Sequence, residues 1–408
     1  INTSPELFIN MKSIPDEESQ EYHPFFQEEL KKIKYGVTIN GVYIPGWLYW
    51  HTNHWNIYKW VPDQVTKVPI RHLGRPDFRD TEWLISNTRE QAIKEQKGLI
   101  IIGSRRLGKT DGSSSVIGRS AVINQGSQNV VCASNTADIK LVCDSLDIGL
   151  SNLHPYFRFS RIEDNWKSQV TLGIKESNGR KVPYSYIKIR NHEDGLNTEA
   201  VAGITAKEFL LEEAGKSNFL RVLEAAIPSF TTPYGWGCSP LIVGTGGSFD
   251  KGDDAQKLFE NPEAYNFLAL QVKDEPKKYG LFISGLYRME GKVLTTMGDF
   301  ATKELEINIP KESELFSVPF YEKDDDKALA QITKDKEDAR KGSDAEALLK
   351  ATMYFPLTPM ECFLNSAVNF YDGELARHQK ARILAQRITG TPVKLFHDGE
   401  KVVHEFVD

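Results

Sequence analysis

The chain has 408 residues, of which 40% are hydrophobic and 26% charged, and its net charge at pH 7 is −6. The length exceeds what one compact core usually holds, so we expect two or three structural units in a globular protein. No apolar run approaches the ~20 residues of a membrane helix, so we expect no membrane contact. Four scattered cysteines without a C-x-x-C pair argue against structural zinc and favour a reducing compartment.

The N-terminal part, residues 1–74, is predicted to be an arm followed by a small aromatic-rich lid subdomain. A short helix is expected at 25–36, and short strands within 36–60, where aromatic and β-branched residues are dense. His51 and His54 have no further ligands nearby, so packing is favoured over a metal site. Core packing is also expected for four tryptophans, with stacking on adenine or DNA bases as the alternative: Trp47, Trp50, Trp55 and Trp60.

Residues 75–365 are predicted to form an α/β domain, because short apolar strands alternate with helical patterns. A helix is expected at 79–98. Strands are expected at 98–102, 129–134, 207–213 and 240–246, helices after Gly108 and at 136–150 and 217–230, and a hairpin from 168–174 and 184–191. The pattern favours a mostly parallel central sheet flanked by helices. The charged segment 322–346 is predicted to be a solvated helix or a lid.

A phosphate-binding loop is predicted at the end of the first of these strands. The motif G-x-x-x-x-G-K-[ST] is matched by Gly103, Ser104, Arg105, Arg106, Leu107, Gly108, Lys109 and Thr110. In such a loop backbone N–H groups surround the phosphates, the lysine reaches the β- and γ-phosphates, and the hydroxyl binds Mg²⁺. The sequence therefore predicts a site for ATP and Mg²⁺.

Two adjacent carboxylates follow the apolar run at 209–211. Glu212 is assigned to Mg²⁺ and Glu213 to activation of the attacking water, as ATP hydrolysis requires. Neighbouring residues of a strand point to opposite faces. Both side chains can face the nucleotide only if the strand ends between them, and Ala214-Gly215 permits this.

A third strand, at 240–246, ends in a run of small residues. Thr245 is a candidate γ-phosphate sensor at the carboxyl edge of the sheet, where ligands bind in such folds. A tight turn without a ligand role is the alternative interpretation.

The ordered motifs GSRRLGKT, FLLEEAG and LIVGTGG resemble those of the large terminase subunit of tailed bacteriophages, a motor that packages DNA. The segments at 39–55 and 354–375 also resemble family segments. This resemblance implies a P-loop ATPase of the additional-strand, catalytic-glutamate class. It also implies that Glu213 is the catalytic glutamate, that Thr245 lies in the coupling motif, and that Arg105 or Arg106 is a sensor in the same subunit. Arg158 and Arg161 are candidates for an arginine that acts on a neighbouring subunit.

The resemblance further implies a motor that moves double-stranded DNA into procapsids. The implied partners are the portal protein, the procapsid, the small terminase subunit and copies of the chain in a ring, expected to be a pentamer, in the host cytoplasm. The family places a nuclease after the ATPase domain, and we expect residues 366–408 to be a linker toward it, with no DNA cleavage by this part. The alternatives are a helicase-like or defence-system motor, and a nucleotide-binding assembly factor with little turnover.

Overall fold

The structure is a computed structural model that describes residues 14–364, except 64, 248, 274, 276 and 342–344. It also describes residue 382 and the strands at 393–397 and 402–406. The sequence at 372–387 predicts a basic amphipathic helix, but this segment lies outside the described residues apart from residue 382, and so does most of the predicted linker. Among the described residues, no helix is both long and apolar enough to cross a membrane.

The α-helices of the described residues lie before, between and after the strands of the predicted α/β domain. They are α1 (Tyr22–Tyr35), α2 (Gly46–Asn53), α3 (Asp80–Lys94), α4 (Lys109–Ile123), α5 (Thr136–Ser151), α6 (Leu220–Phe230), α7 (Phe249–Glu260), α8 (Met297–Glu304), α9 (Asp325–Lys341) and α10 (Ala345–Tyr354).

Most of the strands are short, and several form two-stranded sheets. The strands are β1 (Val37–Ile39), β2 (Val42–Ile44), β3 (Ile57–Pro62), β4 (Pro69–Gly74), β5 (Leu99–Gly103), β6 (Gln128–Ala133), β7 (Ser160–Asn165), β8 (Gln169–Lys175), β9 (Lys181–Asn191), β10 (Glu208–Leu211), β11 (Thr231–Thr232), β12 (Gly235–Trp236), β13 (Leu241–Gly244), β14 (Leu270–Gln271), β15 (Lys278–Tyr279), β16 (Leu281–Ile283), β17 (Lys292–Thr296), β18 (Pro319–Lys323), β19 (Val393–His397) and β20 (Val402–Phe406).

An eight-stranded sheet organises the fold, in the order β16-β5-β13-β10-β6-β9-β8-β7. The pairs from β16 to β9 are parallel, and β8 pairs antiparallel with both β9 and β7. The predicted α/β fold with a mostly parallel sheet and flanking helices is confirmed. One strand, β13, lies between the phosphate-loop strand β5 and the acidic strand β10, which is the arrangement that the additional-strand class is named for.

Both faces of this sheet are covered, which explains why its strands are apolar throughout. Along β5, Leu99 and Ile101 belong to one hydrophobic cluster, and Ile100 and Ile102 belong to the other. Alternate residues of a strand point to opposite faces. A strand buried on both faces therefore needs apolar residues at every position.

The N-terminal aromatic segment differs from the prediction of strands alone. Residues 37–44 form the short hairpin β1–β2, but residues 46–53 form the buried helix α2. Trp47, Trp50 and Trp55 are buried in the same cluster as residues of α4 and α5, as core packing predicts, whereas Trp60 is exposed. The subdomain boundary near residue 74 stays a prediction.

The highly charged segment after β18 forms a helix, as predicted. On α9, Ala328 and Ile332 are buried, and Asp335 lies 2.5 Å from the guanidinium of Arg288. This helix is thus packed on one side and solvated on the other. The chain then continues through α10 back to the phosphate-binding loop.

Candidate functional site

The predicted phosphate-binding loop joins the end of β5 to the start of α4. Gly108 precedes the helix with φ +75°, in the left-handed region that glycine tolerates best. A Cβ atom at Gly108 would also lie 2.6 Å from a guanidinium nitrogen of Arg79. No side chain caps the first turn of α4. Its N–H groups and the helix dipole therefore favour an anion at this end.

Lys109 is the cation of this loop. Its Nζ donates to the carbonyl of Gly103 at 3.2 Å and to that of Ser104. Burial lowers the pKa of Lys109 to about 8, against the opposing effect of Glu213 and Glu212. A partly buried ammonium whose hydrogen-bond acceptors are neutral carbonyls attracts an anion strongly.

The acidic pair lies directly after β10. The backbone N–H of Glu212 donates to Cys132 of β6 at 2.9 Å, so sheet pairing continues one residue beyond β10. Glu213 has φ +56°, and the chain turns there. The backbone pairing of β10 with β6 therefore stops between the two carboxylates. The sequence predicted that both carboxylates can face the nucleotide only if the strand ends there. Their roles in metal binding and water activation remain predictions.

Glu212 is bound to the first turns of α4. Its Oε1 accepts from the Thr110 hydroxyl at 2.6 Å, and its Oε2 accepts from Ser113 at 3.3 Å. Burial raises the pKa of Glu212 to about 7; the charge of Glu213 acts in the same direction, and the hydrogen bonds from Thr110 and Ser113 act against it. A carboxylate and a hydroxyl are hard oxygen donors of the kind that Mg²⁺ prefers.

No group of three His, Cys, Asp or Glu side chains suited to a metal ion occurs among the described residues. Magnesium in nucleotide sites is usually held by one or two protein oxygens together with substrate phosphates. The pair Thr110 and Glu212 fits that mode of binding.

Glu213 combines two unfavourable features. Its Oε2 is buried and has no hydrogen-bond partner among the described residues, and its backbone is in the left-handed region. Its Oε1 lies 3.4 Å from Nζ of Lys216, which is also 3.3 Å from Asp138. An unsatisfied acceptor and a strained backbone cost free energy, and such residues cluster at functional sites. This carboxylate can accept a hydrogen bond or a proton from a water molecule.

A cleft of about 460 Å³ lies at the carboxyl edge of the sheet. Volumes of this order are typical of small-molecule sites, and in open α/β sheets ligands bind at this edge. Residues from the loops after five neighbouring parallel strands and from α10 surround the cleft. Arg105 follows β5, Thr245, Gly246 and Gly247 follow β13, and Gly215 and Lys216 follow β10. The other lining residues are Ser134 and Asn135 after β6, Asp194 after β9, and Lys350, Met353 and Tyr354 of α10.

The two arginines of the loop have different surroundings. Arg105 lines the cleft, with its guanidinium carbon 3.5 Å from the ring centroid of Tyr354, and the backbone N–H of Arg105 donates to the Tyr354 carbonyl at 2.9 Å. The side chain of Arg106 is 66% exposed and forms an ion pair with Glu290, away from the cleft lining. The geometry thus favours Arg105 over Arg106 as the residue that meets a ligand, and the sensor role stays a prediction.

Thr245 is buried and lies in the loop after β13. A Cβ atom at Gly215 would be 2.0 Å from the Thr245 carbonyl oxygen, and one at Gly246 would be 1.8 Å from the Cys362 carbonyl oxygen. The glycines of these loops therefore allow the loops to pack closely against one another. The sequence had suggested only a turn or the approach of a ligand. The acidic loop is therefore in close contact with the loop that carries Thr245.

Other predicted residues lie elsewhere, and the sequence missed some cleft residues. Arg161 pairs with Asp147 at 2.5 Å and donates to Ser151 at 2.8 Å, while Arg158 is exposed. Tyr354 reaches the cleft from 250 residues beyond Ser104, whose hydroxyl donates to its carbonyl. No local pattern identifies such a residue, although the family-like segment at 354–375 begins with it.

No family model matches the sequence, and no curated protein matches it either. The solved structures that resemble this chain include phage large terminases. A mutant of the Thermus phage P74-26 large terminase ATPase domain is 11% identical, with a TM-score of 0.43, over 67% of this chain and 91% of that one. The large terminase of a thermophilic bacteriophage is 13% identical, with a TM-score of 0.37, over 76% and 87% of the two chains. The large terminase of the thermophilic bacteriophage D6E in complex with ADP is 15% identical, with a TM-score of 0.35, over 47% of this chain and 44% of that one. These similar structures include proteins of the family that the sequence motifs resemble.

Proposed function

We propose that this chain is a Mg²⁺-dependent ATPase. One observation carries the proposal: Lys109 and Thr110, at the start of α4, face Glu212 and Glu213 across the carboxyl edge of the sheet, beside a cleft of about 460 Å³. A cation, a hydroxyl and two carboxylates at this place are what hydrolysis of a nucleoside triphosphate needs.

In this proposal each residue of the site has a separate role in hydrolysis. Lys109 and the N–H groups at the start of α4 bind the phosphates. Thr110 and Glu212 hold Mg²⁺, which when bound neutralises charge on the phosphate oxygens. Glu213 orients the attacking water and accepts its proton. Arg105, at the cleft, stabilises charge on the transferred phosphoryl group.

Phosphate release in Mg²⁺ and in excess EDTA tests this proposal. We expect turnover in Mg²⁺ only, and Lys109→Ala is expected to abolish it, because the phosphates lose their buried cation. Lys175→Ala removes an exposed lysine from the end of β8 and serves as the matched control. Equal turnover by Lys109→Ala and the control would reject the proposal.

We further propose that hydrolysis drives double-stranded DNA into phage procapsids. The order of the three motifs supports this, as does the contact between the acidic loop and Thr245, which offers a route from the γ-phosphate to the rest of the chain. The working partners in this proposal are the portal protein, the procapsid, the small terminase subunit and further copies of the chain in a ring.

DNA packaging into procapsids with a matched portal tests the motor role. Protection of the DNA from nuclease, dependent on ATP, is the expected result. Turnover stimulated by DNA without any packaging would favour a helicase-like or defence-system motor. Nucleotide binding with negligible turnover would favour an assembly factor.

A further inference from the structure

The hairpin β3–β4 is a two-stranded sheet apart from the central sheet, and one of its faces is open to solvent. Trp60 is 69% exposed and Tyr58 44% exposed. The register places Tyr58 opposite Leu73 and Trp60 opposite Arg71, so these side chains share one face. We call this set the aromatic face: Tyr58, Trp60, Pro62, Pro69, Arg71 and Leu73. Exposed apolar patches on a hairpin usually mark an interaction surface.

The chemistry of the aromatic face favours a protein partner. Its single charge is Arg71, whose guanidinium carbon lies 4.8 Å from the Tyr58 ring centroid and which forms no ion pair among the described residues. A nucleic-acid surface needs several cations for the phosphates, and this face offers one on a chain of net charge −6. Trp, Tyr and Arg are the residues that dominate protein–protein binding energy.

A surface pocket elsewhere on the chain has complementary features. It has a volume of about 270 Å³, and its floor is formed by Val37, Ile39 and Leu315. Lys32 at its edge is paired with Glu29 at 2.7 Å. Glu314, also at the edge, is exposed, and its carboxylate has no hydrogen bond or ion pair among the described residues. The pocket therefore combines an apolar floor with an uncompensated negative charge.

We propose that the aromatic face of one copy docks in this pocket of a second copy, with Trp60 on the apolar floor and Arg71 paired with Glu314. The contact joins two different surfaces of the same chain, so repetition builds a closed ring or a filament. It uses none of the nucleotide-binding residues. Self-association without nucleotide thus tests it separately from the proposed ATPase activity.

Sedimentation velocity of the whole chain over a range of concentrations, without nucleotide, is the first test. We expect association of the wild type, and a dissociation constant at least about tenfold higher for Trp60→Ala and for Glu314→Arg, as for hot-spot residues. Tyr234→Ala removes another aromatic residue, 88% exposed on a different turn, and is expected to leave association unchanged. Circular dichroism checks that each variant is folded.

Mixing the two defective variants is the second test. At a concentration at which each variant alone is monomeric, the mixture still has one intact aromatic face and one intact pocket, so a dimer is expected. Combining Arg71→Glu with Glu314→Arg in one chain restores the charge pair and is expected to recover association. A monomeric wild type, or association insensitive to these changes, overturns the proposal. It is also overturned if Trp60→Ala weakens binding of a DNA duplex and leaves self-association intact.

Discussion

Glu212→Gln tests the buried state of the carboxylate that we assign to Mg²⁺. Burial raises the pKa of Glu212 from its ordinary value of 4.5 to about 7 in the folded chain. Between these values the folded state holds a proton that the unfolded state has released. The contribution to stability is therefore fully present below pH 4.5 and is lost as the pH rises through 7.

The magnitude follows from the difference between the two pKa values. At about 1.4 kcal/mol for each pH unit, the full loss is about 3 kcal/mol. About 2 kcal/mol of it falls between pH 5.5 and pH 8. Lys109, whose pKa burial lowers to about 8, loses its proton at and above the upper end of this range and contributes mainly at higher pH.

Urea unfolding of wild type and Glu212→Gln at pH 5.5 and pH 8, in EDTA and without nucleotide, measures the effect. The wild type is expected to lose about 2 kcal/mol more than the variant between the two pH values, since only the wild type carries the carboxylate whose pKa burial raises. The same pH dependence in both proteins would show that Glu212 ionises freely in the folded chain and would refute the buried geometry.

Two other groups of residues give further predictions. Arg105→Ala and Arg106→Ala are both expected to lower ATP turnover, with the larger loss for Arg105→Ala because Arg105 lines the cleft. If both variants turn over ATP at the wild-type rate, the two arginines have no role in hydrolysis and are only surface charges. Arg89→Ala is expected to lower the free energy of unfolding in urea by roughly 3–5 kcal/mol, since it leaves the buried carboxylate of Glu208, at the start of β10, without its ion-pair partner. Arg221→Ala, an exposed control on α6, is expected to change stability by less than about 0.5 kcal/mol, and a similarly small loss for Arg89→Ala would contradict the buried pair.

Local patterns predicted the parts of the fold whose residues are close in sequence. The strand at 99–103, the hairpin of β8 and β9 and the phosphate loop could each be predicted from a few consecutive residues. A run of apolar residues shows that both faces of a strand are buried, and the loop motif contains every residue of the loop. The turn at Glu213 was also predictable, because two adjacent carboxylates can act together only where a strand stops.

Long-range placement was not predictable in the same way. β16 joins the edge of the sheet beside β5, yet its three residues carry no signal of their own. Tyr354 reaches Arg105 only because α9 and α10 return to the loop. Helix α2 was expected as strand because aromatic residues favour strands on average, but burial against neighbouring helices outweighs that preference.

The ATP turnover of Glu213→Gln tests the central claim most directly. The variant keeps the size and shape of the side chain but cannot accept a proton from water. We expect binding of Mg²⁺·ATP close to wild type and a loss of turnover of about a hundredfold or more, the usual effect of removing a positioned base. Glu224→Gln, at an exposed position on α6, is the matched control. Turnover by Glu213→Gln equal to that of wild type and control would contradict the account.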